Sequence, residues 1–308
     1  MEHGPISTPN ANEPHSHIPG LFGVGVGSRR RYLAAGLRIR TMALRHWLAG
    51  RRNGVSATEL IKFLLLAPAA SRGKRYVTRM TQDAEFNVVS LRGFDHPIYC
   101  PRDYDLLSLY LSFLLQSPDN WHCYEFKEVR VGPDDVVIDC GAAEGVFSMS
   151  VEGRCKAVYA VEPMPRYVSA LQRTFNETNT VEILPFALSD RFGEATIVES
   201  GPLSSIDIPK KGDSVTVKSA TVDGLFFEKG IEVNFMKADL EGHEMHMLAG
   251  AENTIREYLP KIAITSYHKA SDANDICQFI RNIDSRYRIR TRGISNFGTP
   301  LMVYAWVE

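Results

Sequence analysis

Four side chains able to do chemistry each follow a short apolar run in the second half of the chain: Asp139, Glu162, Asp239 and His268. The first lies in VVIDCGAAEGVFS (Val136 to Ser148), where a buried strand gives way to Gly141 and Gly145 at a turn into a helix. Glycine at such a turn lets the backbone approach a ligand closely. A dinucleotide site would read G-x-G-x-x-G, whereas here the position two before Gly141 is a carboxylate. Asp139 would repel a pyrophosphate but suits a ligand carrying sulfonium and ammonium groups. Glu162 ends AVYAVEP, 21 residues after Gly141. An acid at that separation commonly accepts the ribose hydroxyls of an adenosine cofactor.

The second half of the constellation suits an acceptor. Strand alternation puts Lys237 and Asp239 on one side of their strand, with Met236 and Ala238 on the other. Asp239 then faces the cleft beside the cofactor, and Lys237 pairs either with Asp239 or with a substrate anion. Glu241 and Glu244 lie where a helix opens, so they stabilise its N-terminus or, for Glu241, touch the substrate. Transfer to an oxygen needs in-line positioning and a base for the hydroxyl proton. His268, closing IAITSYH, has a side chain that titrates near neutrality, and Tyr267 beside it can orient the substrate. His243 and His246, spaced i, i+3 near Glu241, could ligate a metal. Spacing supplies no third or fourth ligand, so no metal is assigned.

These residues need a frame that brings strand ends together. Apolar, β-rich runs at 136–140, 157–161, 181–184, 233–238 and 261–266 alternate with helical or loop segments, which predicts a parallel, doubly wound α/β sheet covered on both faces. Tyr287 to Thr291 and Leu301 to Trp306 predict a closing antiparallel hairpin. Upstream, Asp103 to Gln116 reads as a mostly buried helix and Trp121 to Phe126 as a short strand. Residues 1–27, rich in Pro, Ser, Asn and Gly, read as a disordered tail. Residues 28–75 form a basic helical extension. Its Arg31, Arg38, Arg45 and Arg52 recur every seven residues opposite Leu33, Leu37, Leu44 and Leu48, and Ser56 with Glu59 forms a capping box. The extension docks on the domain or, through Arg29 to Arg52, meets a peripheral membrane surface or an acidic partner. Residues 76–308 make the main domain, with 76–130 as a cap over the cleft.

Four blocks resemble the FkbM-type branch of class I methyltransferases: VIDCGAAEG, VYAVEPMPRYVSALQRTFN, ILPFALSDRFG and NFMKADLEGHEMHMLAGA. In the last, Lys237, Asp239, Glu241, Gly242 and Glu244 match the pattern K-x-D-x-E-G-x-E. The resemblance implies a Rossmann-like, seven-stranded class I sheet and S-adenosylmethionine as cofactor. It implies that Gly141, Ala142 and Gly145 hold that cofactor and that Phe186 and Ala187 flank its adenine. The acceptor it implies is a hydroxyl on a sugar or secondary metabolite. The chain departs from the family pattern at Ser266, where a glutamate is usual.

Composition narrows the alternatives. With 35 basic and 36 acidic residues the net charge is −1, which does not suit a polyanion binder. The basic segment also lacks the interleaved aromatics of a nucleic-acid platform, so no nucleic acid is expected. Five cysteines without C-x-x-C spacing point to reduced thiols. No run reaches the ~20 apolar residues of a membrane span, and the expected location is cytoplasmic. A nicotinamide-dependent oxidoreductase and a non-catalytic scaffold recruited by the basic helix are the competing readings. Oligomeric state is not legible.

Overall fold

The structure, a computed structural model, describes residues 29–67, 72–104, 106–198 and 214–308. The tail expected over 1–27 lies outside them. Two helices come first, α1 (Arg29–Leu48) and α2 (Ala57–Leu65). The Ser56 hydroxyl accepts the Glu59 N–H while the Glu59 carboxylate accepts that of Ser56, the capping box read from sequence. These helices dock on the domain. Ala43, Val55 and Leu60 are buried in one cluster with Trp121, Val137 and Tyr304. Arg51 donates to the carbonyl of Phe297 at 3.0 Å, and Glu59 pairs with Arg292 at 3.0 Å. Arg38 and Arg45 remain exposed, while Arg52, beyond the end of α1, lies over the Trp47 ring.

An antiparallel meander follows: β1 (Val77–Gln82), β2 (Phe86–Leu91) and β3 (Ile98–Pro101). The apolar helix α3 (Leu106–Leu115) comes next. Trp121 to Phe126 is not the strand its composition predicts. Cys123 N–H bonds to the Asn120 carbonyl in a turn, and only Phe126 pairs, with Val129. Trp121, His122, Cys123 and Tyr124 are all buried in succession. A turn can send successive side chains to different neighbours, which the two-residue period of a strand cannot.

The main sheet is built from β4 (Val136–Cys140), β5 (Ala157–Val161), β6 (Val181–Leu184), β10 (Phe235–Ala238), β11 (Lys261–Thr265), β12 (Arg288–Arg292) and β13 (Met302–Trp306). Between β6 and β10 a side sheet forms from β7 (Ala187–Leu188), β8 (Gly193–Val198) and β9 (Ser214–Ala220). Main-sheet order is β12-β13-β11-β10-β4-β5-β6. Strands β11, β10, β4, β5 and β6 run parallel, and β13 is antiparallel to both neighbours. This is the doubly wound, Rossmann-like class I sheet with its terminal hairpin.

Alternation packs both faces. Ile138, Met236, Ile262, Ile264 and Val303 join one core, while Val137, Phe235, Ala263 and Tyr304 join the other. Burying a side chain of this size contributes roughly 1.5–3 kcal/mol, so the register of the central strands is strongly determined. The loops after β4, β5, β10 and β11 therefore emerge side by side at the carboxyl edge, where such sheets bind ligands.

Candidate active site

At that edge lies a cleft of about 1160 Å³, counted with its open mouth. Its floor is the turn from β4 into α4 (Val146–Val151), with Gly141 at φ +77, Ala143 at +47 and Gly145 at +82. A Cβ on Gly141 would stand 2.2 Å from the Asp239 carbonyl oxygen, and one on Gly145 2.5 Å from Leu171 Cδ2. Both glycines thus permit close contact between parts of the protein. Gly141, Ala142, Ala143 and Glu144 line the cleft, while Gly145 packs against Leu171 and Phe175 behind it.

Glu162 follows β5 directly. Its carboxylate accepts the N–H groups of Ala143 and Met164, both at 2.9 Å. Burial pushes its carboxyl up to about 7, against the opposing pull of those two bonds. Phe186 and Ala187 line the same end of the cleft.

Asp139 is placed differently from its expected contact with a cationic ligand. Its side chain is fully buried, 2.8 Å from Lys237 Nζ, and accepts the Ser148 hydroxyl at 2.7 Å. Register explains the pair, because Lys237 lies directly across from Asp139 on the neighbouring strand. Lys237 also donates to the Gly141 carbonyl at 2.7 Å. Burial works against its charge, but Asp139 and Asp239 more than offset that and leave its pKa raised. Its ion pair is with Asp139 rather than with Asp239. The pair fastens β4, β10 and the glycine turn together.

Asp239, one residue past β10, faces the cleft. Tyr124 donates to its Oδ2 at 2.8 Å and Thr265 to its Oδ1 at 3.2 Å. Glu241 (φ +54) also lines the cleft, its Oε2 at 3.5 Å from His268 Nε2. On the other side of the ring, His268 Nδ1 lies 3.3 Å from Glu244 Oε1. Burial opposes protonation of His268, yet Glu244 and Glu241 raise its pKa well above the ordinary value. Glu244 falls to about 2, since the imidazolium and the Leu240 N–H outweigh its burial. The expected free-imidazole base is therefore, in this arrangement, a cation at neutral pH. Tyr267 is buried against His268 with ring centres 4.2 Å apart. Burial, then the charges of Asp239, Glu241 and Glu244, keep its phenol protonated.

Among the described residues, the histidines at 243 and 246 are not members of the Asp239, Glu241 and His268 group of close ligand atoms. Their rings stack at 4.4 Å, with His243 near the Ser189 hydroxyl and His246 near Asp190. Several cleft residues went unread in the sequence. Tyr104 donates to Glu144 at 2.8 Å, and α3 presents Ser108 and Ser112. His122 packs between Tyr124 and Tyr267, its pKa lowered to about 4 by burial. The only signal was the polar-aromatic run WHCY within a segment that otherwise suggested a strand.

Comparison with known proteins places this edge in context. A family model described as a methyltransferase FkbM domain matches residues 139–287. The hexuronic acid methyltransferase AglP of Haloferax volcanii is 26% identical over 151 residues, covering 48% of this chain and 62% of AglP. The chain thus spans less than two thirds of that relative. Among solved structures, a methyltransferase FkbM from Methylobacillus flagellatus KT is 22% identical with TM-score 0.47, covering 67% of this chain and 56% of that one. TYW2 of M. jannaschii in complex with AdoMet is 12% identical with TM-score 0.38, covering 73% and 85%.

Proposed function

Residues 139–287 are an FkbM-type methyltransferase domain, and from that premise we propose that the chain transfers a methyl group from S-adenosylmethionine to a hydroxyl of a small sugar-like molecule. One observation carries the cofactor class. Glu144, Glu162, Asp239 and Glu241 all line the cleft, and the Lys237 ammonium among them is already matched by Asp139. Such a cleft attracts a ligand bearing sulfonium and ammonium charges and repels a pyrophosphate. That lining counts against the nicotinamide alternative, whereas Asp139 itself is sealed against Lys237.

The cofactor supplies an electrophilic methyl on sulfur. Glu162 accepts its ribose hydroxyls, Phe186 and Ala187 flank the adenine, and the backbone from Gly141 to Glu144 follows its amino-acid portion. At the opposite end Asp239, Glu241 and Tyr267 orient the acceptor hydroxyl. With the cofactor bound, these residues would hold the acceptor oxygen in line with the sulfur-bound methyl, and the carboxylates of Asp239 and Glu241 or water would take up the hydroxyl proton. Holding both reactants in one cleft would lower the barrier chiefly through positioning. The acidic lining favours a neutral glycoside over a uronic acid, although AglP bears the name of a hexuronic acid enzyme.

The test is transfer of labelled methyl from S-adenosylmethionine to a panel of neutral glycosides and hexuronosides. Ether-linked label on a neutral sugar is the expected result. Label on the carboxyl of a uronic acid, with none on any hydroxyl, contradicts the acceptor assignment.

A further inference from the structure

We propose that Asp239, Glu241 and His268 form a site for one divalent cation of the Mg²⁺/Mn²⁺ class, facing the end of the cleft where the acceptor lies. One ligand atom from each lies within 4.8 Å of those of the other two. His268 Nε2 stands 3.5 Å from Glu241 Oε2 and 4.0 Å from Asp239 Oδ1. Charge-assisted hydrogen bonds would be about 2.7–2.9 Å, and neither ring nitrogen of His268, though buried, makes an aligned hydrogen bond. Ligands on adjacent corners of an octahedron with bonds near 2.1 Å are about 3 Å apart. A contraction of roughly 0.5–1 Å per ligand closes the set.

The surroundings supply what a ligand set needs beyond its own atoms. A ligating imidazole normally donates its other N–H to a carboxylate, which fixes the tautomer. Here Nδ1 faces Glu244 Oε1 at 3.3 Å, and Glu244 is itself held by the Leu240 N–H at 2.8 Å. The second oxygen of Asp239 is held by Tyr124 at 2.8 Å. Independently, His122 is 1% exposed, neither of its ring nitrogens has a hydrogen-bond partner, and it packs on Tyr124 and Tyr267 beside Asp239. A buried imidazole left unpaired there marks the pocket as one completed by a further polar species. Two carboxylates with one imidazole favour a hard ion that keeps open positions, and Asp239 and Glu241 both open on the cleft. An acceptor hydroxyl taking an open position would lose its proton to water more readily. That role rests on the methyltransferase reading; ion binding itself does not.

The experiment uses the full chain, stripped with chelator and titrated with Mn²⁺ alone, followed by electron paramagnetic resonance and calorimetry. One ion per chain is expected, with a dissociation constant in the range of about 1 µM to 1 mM. Glu241→Gln should weaken it at least about tenfold, and Glu244→Gln, acting through His268, about 10- to 100-fold. His246→Ala should leave it unchanged. Folding of each variant is confirmed by its circular dichroism and melting temperature. Absence of Mn²⁺ binding at millimolar concentration, or binding that a folded Glu241→Gln variant does not weaken, overturns the site. S-Adenosylhomocysteine binding, measured alongside without metal, separates the two claims: its loss alone indicts the methyltransferase reading, and loss of Mn²⁺ alone indicts the metal site.

Discussion

Asp139 and Asp239 stand at the ends of adjacent parallel strands, and each meets a basic side chain, but the outcomes are opposite. The Asp139 carboxylate is sealed at 2.8 Å from Lys237 with no exposure. Asp239 is held by two hydroxyls, remains 16% exposed at its side chain, and stands 4.0 Å from His268. The closed pair has spent its charge on holding the backbone, while the open cluster keeps charge available for something that enters. The same residue type near the carboxyl ends of two adjacent strands therefore acts as a fastener in one and stays open to the cleft in the other.

Breaking the closed pair should have the largest effect. Lys237→Ala strands a buried carboxylate, and loss of one partner in such a pair costs about 3–5 kcal/mol; denaturant unfolding would read it. Asp139→Asn combined with Lys237→Met should lose less than the sum of the singles, because the two charges answer each other. The open cluster should behave in the reverse manner. Asp239→Asn is expected to slow methyl transfer about 10²- to 10³-fold, with the melting temperature and S-adenosylhomocysteine affinity nearly unchanged. Equal loss of stability in Asp239→Asn and Lys237→Ala would erase the distinction.

A third acid, Glu162, sharpens the comparison through pH. Burial pushes its carboxyl up to about 7, and ribose hydroxyls donate more strongly to the ionised form. Affinity for S-adenosylhomocysteine should therefore rise as pH increases through about 7 and then level off. Between pH 6 and 8 the gain is about five- to tenfold for a group of that pKa. Glu162→Gln should bind about tenfold more weakly at high pH and lose the slope.

The smallest effect belongs to His96 and Glu152, an imidazole–carboxylate pair away from the cleft that is closed at 2.6 Å. Glu152 raises the folded-state pKa of His96 above 6.5. The stabilisation is complete below 6.5 and is lost as pH rises through the raised value. For a partly exposed pair it should be under about 1 kcal/mol. Unfolding of the parent and His96→Ala at low and high pH would show whether their difference narrows as pH rises.

Much of the frame was legible because apolar runs and turn glycines are local signals. All five parallel strands, the terminal hairpin and the Ser56 capping box follow from residues within a few positions of one another. What stayed hidden depends on register and on contacts across the fold. Lys237 was read as a partner of Asp239, two residues away, or of a substrate anion, because strand pairing with β4 is not written in either segment alone. Gly145 looked like a ligand contact, whereas Leu171 and Phe175 behind it explain why no Cβ fits. Tyr124 and His122 were masked by a composition that suggested a strand. His268 stood out in the sequence as a titratable group just after an apolar run, but its charge state depends on Glu241 and Glu244 folding around it.

Calorimetric titration of the full chain with S-adenosylhomocysteine, with NADH in parallel, tests the central claim most directly. Micromolar binding of the former and none of the latter is the predicted result. Binding of NADH alone, or of neither compound to folded protein, would contradict the assignment of this cleft to a methyl-donor cofactor.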